Sequence, residues 1–271
     1  MAVPTRGVAY TKHFDETLNQ GIYEGGVPNI DFLYEVSTTR NPDYKIGDRV
    51  VLGDRREFVY SKNVGDRILP NSEGCSFKDP GQIGWTSGTT YASGVTTITI
   101  PTPTHAAAFE VDELQGGYVV IYQVGGEMFR GIVGNDYSAI NADVTIYLDA
   151  KTTAAIIDSN AYEVFGNPYR YMDNEAGMDS DNNAFGGPPL VDVPASASYF
   201  WMQVRGVAHI TPQTNMDGKE ATGWMWKGDG TAQAVATALA VTVQADSSTQ
   251  YAGYRIGGNQ DGNGPIVFLQ G

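Results

Sequence analysis

Residues 116–148, GGYVVIYQVGGEMFRGIVGNDYSAINADVTIYL, hold three short β-rich runs separated by glycine and asparagine turns. Tyr118 to Tyr122 are all β-branched or aromatic, and such side chains fit a pleated, half-buried surface better than a helix, where they lose χ1 freedom. Gly125 and Gly126 supply the positive φ of a tight hairpin turn, and Met128 to Val133 returns antiparallel. Asn135-Asp136 offers a second turn. Val144, Ile146 and Leu148 alternate with Thr145, Tyr147 and Asp149, the period-two pattern of a strand with one buried face. The stretch reads as a β-meander, and none of its residues is catalytic by type.

The same signature runs outward in both directions. Arg49–Leu52 and Glu57–Tyr60 form a hairpin about Gly53-Asp54, and Val95, Thr97 and Thr99 alternate with Thr96, Ile98 and Ile100 in a strand ended by Pro101 and Pro103, which cannot donate to a ladder. Ser198 to Ile210 reads as a strand pair or one long bent strand. Tyr199, Trp201, Gln203 and Arg205 fall on one face, Phe200, Met202 and Val204 on the other, and Gly206 marks a bulge or bend. Trp224 and Trp226 share a strand face before a turn at 228–230, and Tyr251 to Leu269 closes with glycine-asparagine turns around a terminal apolar strand tied into a sheet. The spacing of Ala154, Ile157 and Ala161 predicts a short helix over 152–164. Residues 171–189, acidic and glycine-rich, read as a long surface loop.

Residues 1–44 lack periodicity and read as an extended arm. Tyr10, Phe14, Tyr23, Phe32 and Tyr34 give it more apolar side chain than a free tail carries, so it is ordered only by docking on its own domain or on a neighbouring subunit. The expectation is an all-β protein, an antiparallel sandwich or barrel-like domain over 45–271 with an extended N-terminal arm and at most one or two short helices. If that domain divides, the prolines put the division near 101–110.

Composition narrows the function. Thirty-three glycines and 16 tyrosines with 18% charged residues fit many short strands, and 31 acidic against 17 basic residues give a net charge of −14, which opposes contact with a polyanion. No nucleic-acid partner is expected. Cys75 is the single cysteine, so no disulfide framework exists. No apolar run has the ~18–20 residues of a membrane-spanning helix, and no secretory signal is read at the N-terminus, so synthesis in a reducing cytoplasm is expected.

Two segments carry a family resemblance. The first is the hairpin Lys45-x-Gly47-x-Arg49, Gly53-Asp54, Arg56-x-Phe58-x-Tyr60, followed by Asn63-Val64-Gly65, Leu69, Pro70 and Gly74. The second is the aromatic strand Tyr199-Phe200-Trp201-x-Gln203-x-x-Gly206, with a looser match over 251–270. Together they resemble virion structural proteins of tailed bacteriophages, most of all head decoration (cement) proteins. The resemblance implies a homotrimeric β-domain on the outer capsid surface, with the major capsid protein as partner, no cofactor and no enzymatic activity. Interface candidates are Tyr10, Phe14, Tyr23, Phe32, Tyr34, Tyr199, Trp201, Trp224 and Trp226.

His13, His105 and His209 sit in no ligand spacing, and His209 reads as a packed or interface side chain. Cys75 lies in no nucleophile motif and reads as an inert thiol. Asp179, Asp181 and Asn183 have the opening spacing of an EF-hand, but Ala184 replaces its turn glycine and Leu190 its bidentate glutamate, which leaves a solvated acidic loop as the default. Asp112 with Glu113, or Asp173 with Glu175, are the acid pairs a glycan hydrolase would use. Tyr199, Trp201, Trp224 and Trp226 can serve as core, as interface or as a sugar platform. A tail or baseplate protein with a glycan-binding face is therefore the alternative reading, and a hydrolase the third.

Overall fold

A computed structural model of the chain describes residues 30–70, 88–101, 108–123, 126–173, 185–195, 197–210, 251–257 and 266–270 with their side chains. At 9–15, 20–27, 75–77, 83–86, 223–226, 232–235, 250, 258 and 265 it describes strand backbone alone. Two compact units result, Asp79–Pro168 and, on either side of it in sequence, Met1–Lys78 with Tyr169–Gly271. The strands before and into the inserted unit are β1 (Ala9–Asp15), β2 (Gln20–Val27), β3 (Arg49–Val51), β4 (Glu57–Asn63), β5 (Cys75–Phe77), β6 (Ile83–Thr86) and β7 (Thr97–Ile100). Then come β8 (Tyr118–Gln123), β9 (Gly126–Asn135), β10 (Val144–Leu148) and β11 (Ala161–Phe165). The chain ends with β12 (Met172–Asp173), β13 (Phe185–Gly187), β14 (Ser198–His209), β15 (Gly223–Trp226), β16 (Ala232–Val235), β17 (Gln250–Gly258) and β18 (Pro265–Gln270). The protein is all-β, its sheets antiparallel and one of them curled into a half-barrel. The exception to antiparallel pairing among the described strands is β12 beside β4.

The inserted unit is one six-stranded sheet, β6-β11-β8-β9-β10-β7, built on the meander of 116–148. Val119, Ile121, Met128, Ile132, Val144, Ile146 and Leu148 point to one buried cluster, as their period-two spacing requires. Asn135 makes no tight turn. Its buried side chain accepts from the Leu114 amide at 2.7 Å and donates to the Glu110 and Asp136 carbonyls, which holds the longer connection of 136–143. The helix expected over 152–164 is replaced by strand β11, which pairs with both β6 and β8 and buries Tyr162 and Val164. Thr152 and Thr153 are poor helix formers, and two ladders with a buried face outweigh so weak a preference. Ile156 is buried there instead of Ile157, which is 46% exposed. Pro101 follows β7 inside this unit, which runs from Asp79 to Pro168.

In the other unit β13-β5-β12-β4-β14-β18-β17-β15-β16 lie side by side, with β1 and β2 added beyond β3, itself paired to β4. Ser198–His209 is one continuous strand that pairs β4 through its first half and β18 through its second. Its two faces feed two clusters: Phe200, Met202 and Val204 meet Val59, Ile68, Met172 and Val193, while Trp201 meets Leu33, Val50, Leu52, Phe58 and Tyr60. The strand changes partner at a bulge between Gln203 and Arg205. Buried Gln203 donates to the Arg205 and Val207 carbonyls across that bulge, and Gly206 follows at φ +89° with Arg55 and Arg56 backbone 2.8 Å from where a Cβ would stand.

Residues 171–189 are not a loop throughout. Met172-Asp173 and Phe185–Gly187 are strands because Met172 and Phe185 have apolar clusters to join; the EF-hand-like stretch Asp179–Asn183 lies outside the described residues. Strand β1 pairs antiparallel with β2 and with β3. Residues 30–44 dock on their own domain: Leu33 is buried against Trp201 and Phe58, and Ser37 exchanges backbone hydrogen bonds with Tyr199 at 3.1 and 2.7 Å.

Two outcomes follow for stability. Gly206→Ala forces a side chain into a left-handed conformation against backbone, and a loss of about 1–3 kcal/mol in urea unfolding is expected; an unchanged midpoint contradicts the bulge geometry. Deleting 1–44 removes Leu33, whose burial alone is worth about 2–5 kcal/mol, and the circular-dichroism melt should shift far more than for deletion of 1–29. Equal melts for both truncations contradict the docking of 30–44.

Candidate functional site

A cleft of about 440 Å³ opens in the unit that carries β14. Tyr60 and Trp201, directly opposite each other on β4 and β14, are its floor, and Trp201 is only 2% exposed. Both are strand residues because flanking β-branched and aromatic neighbours favour the pleat, and their facing positions make a cross-strand aromatic pair with centroids 5.1 Å apart. Phe32, from the 3-10 turn Asp31–Tyr34, stands edge-on to Trp201 at 5.4 Å. Tyr44 meets Trp201 at 5.1 Å and stacks on Phe32 at 5.8 Å, and Tyr199 stacks on Tyr60 at 6.1 Å.

The rim is polar and held in place. The Asn41 side chain accepts from the Asp43 amide at 2.9 Å, the turn chemistry typical of asparagine, and the Asn41 amide donates to the Tyr60 hydroxyl at 3.1 Å. The Ser37–Tyr199 backbone pair anchors the other end of the same segment. Glu35 and Asp43 bring carboxylates to the cleft, and Arg40 and Asn41 bring donors. Burial, then the carboxylates of Asp43, Glu35 and Asp48, holds the Tyr44 hydroxyl above its ordinary value. Burial is also the first cause at Tyr60, partly offset by the Asn41 amide that donates to it.

Of the interface candidates, Phe32, Tyr199 and Trp201 come together here. Tyr34 lies outside the cleft at 48% exposure. Tyr10, Phe14 and Tyr23 lie on β1 and β2, and Trp224 and Trp226 on β15, strands described by backbone alone. In the sheet, β18 and β17 lie between β14 and β15. Sequence reasoning missed Tyr44 and Tyr60. The signal for Tyr60 is its alternation with Phe58 on the hairpin strand; Tyr44 has only the Asn41-Pro42-Asp43 turn before it.

Among the described residues, the histidine and acidic candidates do not converge. His209 is exposed on β14. Asp173 is buried and accepts the Asp66 amide at 2.7 Å, with Gly65 so close that a Cβ there would overlap its carboxylate; Glu175 lies outside the described residues. Asp112 is exposed, and His13, His105 and Cys75 have no described side chains. Among the described residues no group of three or more His, Cys, Asp or Glu can hold a metal ion, and no helix is long and apolar enough to cross a membrane. Compared with models of known families, with curated proteins and with solved structures, the chain matches none.

Both cleft tyrosines keep their protons more tightly when folded, so their contribution to stability is complete below pH 10.0 and is lost as pH rises past it. In an ultraviolet alkaline titration Tyr44→Phe and Tyr60→Phe should each remove late-ionising absorbance, and alkaline destabilisation should be shallower in both. Profiles identical to the parent protein contradict the buried cleft.

Proposed function

We propose that this chain is a non-enzymatic structural protein of a tailed-phage virion. In this reading it binds the outer capsid surface as a homotrimer and stabilises the lattice of the major capsid protein. The sequence resemblance at 45–74 and 196–210 supplies the identity of the particle, and one structural observation supports a role in assembly. Beyond the bulge of β14, three neighbouring strands present an apolar row to solvent. Val207 stands opposite Phe268 and Phe268 opposite Tyr254, whose rings stack at 5.4 Å. Ile266 and Ile256 extend the row, the latter 50% exposed. A contiguous apolar sheet face of this kind is a marker of protein–protein contact. Many copies on a shell turn modest individual contacts into firm attachment by avidity.

The test mixes the purified chain with expanded capsids that lack it, sediments them, and counts copies per shell. Saturable, stoichiometric binding is expected. The double variant Val207→Glu/Ile256→Glu should keep its melting temperature and bind at least about tenfold more weakly, since burying two carboxylates in an apolar contact costs more than about 1.4 kcal/mol. A chain that stays free as an oligomer, or a variant that binds as well as the parent, overturns the proposal and favours a tail component.

A further inference from the structure

We infer that the aromatic cleft of β4 and β14 is a binding site for a neutral pyranose unit of a glycan. It stands on its own geometry, apart from the capsid reading, and uses other residues than the apolar row beyond the bulge. Phe32, Tyr44 and Tyr199 are only partly buried although each is packed against Trp201 or Tyr60. A purely structural aromatic cluster would fill its own space; here the rings line a volume of about 440 Å³. That lies within the ~300–1,000 Å³ typical of small-molecule pockets and accommodates a mono- or disaccharide.

The chemistry of the rim selects among ligands. A sugar ring has apolar C–H faces that pack on aromatic rings, and hydroxyls that each donate and accept. Glu35 and Asp43 accept while Arg40 and Asn41 donate, so both halves of a hydroxyl's capacity find partners around one opening. An acidic sugar would face two carboxylates, and a quaternary ammonium, which could pair with them, has no hydroxyl to use the Arg40 donor. A neutral polyol uses donor and acceptors together. The rim is also ordered in advance, with the Asn41 amide on the Tyr60 hydroxyl and Ser37 on Tyr199, so little chain entropy is lost on binding.

The experiment titrates the full chain with the methyl glycosides of glucose, galactose, mannose and N-acetylglucosamine, and with choline and glucuronate as cationic and anionic comparators. Saturation-transfer NMR and tryptophan fluorescence report binding. Saturable binding of at least one neutral glycoside is expected, with a Kd on the order of 1 mM. Tyr44→Ala, and Asp43→Ala, which leaves the packed rings untouched, should each weaken it at least about fivefold, while Phe129→Ser on the inserted unit should leave it unchanged. Should Tyr44→Ala fail to fold, Arg40→Ala takes its place on the same terms. Binding of choline or glucuronate alone, no saturable binding of any neutral glycoside, or binding that survives Asp43→Ala overturns the inference. Loss of capsid binding in the sedimentation assay leaves it standing.

Discussion

Between Phe200 and Val204, strand β14 buries side chains on both faces, and that two-sided burial is the constraint on which its unit depends. Phe200 and Met202 are fully buried in one cluster and Trp201 is almost fully buried in the other. A one-residue slip of register would exchange the two sets between clusters of different shape. The pairing with β4 is therefore fixed by packing on both sides at once, and β4 answers in kind, sending Val59 to one cluster and Phe58 and Tyr60 to the other. The bulge at Gln203–Arg205 then re-aims the strand. β4 and β18 flank β14 on opposite edges, and Arg205 pairs with both.

That change of partner separates two surfaces. Ahead of the bulge, the Trp201 side receives the segment 30–44, and the imperfect fit between its turn and the two strands leaves the aromatic cleft. Beyond the bulge, β14, β18 and β17 pack one face through Ala208, Ala252, Val267 and Leu269, and on the other an apolar row of Val207, Phe268 and Tyr254 is flanked by exposed Arg205, His209 and Gln270. The cleft is polar-rimmed and small, suited to a compact ligand. The open row is flat and apolar, suited to a protein. The inserted unit repeats the pattern, with Tyr118 and Phe129 stacked at 5.1 Å on its exposed face.

Local patterns were legible in the sequence where burial is one-sided. Val144, Ile146 and Leu148, or Ile98 and Ile100, alternate cleanly and occupy the inner face of their sheet. The hairpin about Gly53-Asp54 was legible too, although the residue with positive φ is Arg55, at 70°. What the sequence does not carry is non-local pairing. The strand at 161–165 resembles a weak helix until β6 and β8 are placed beside it. The tie of Ser37 to Tyr199 has no local mark, so residues 30–44 read as arm and Tyr44 was not seen as a cleft residue. The resemblance marked the segments containing Tyr60 and Trp201, yet their facing positions follow only from the register of two strands far apart in sequence.

Amide hydrogen exchange, followed on the free chain and again on capsid-bound chain, tests the account most directly. Amides of 199–204 should be among the slowest to exchange in both states, and those of 205–209, 254–256 and 266–268 should slow further on the proposed capsid contact. Fast exchange at 199–204 in the free chain, or no added protection beyond the bulge on binding, would contradict it.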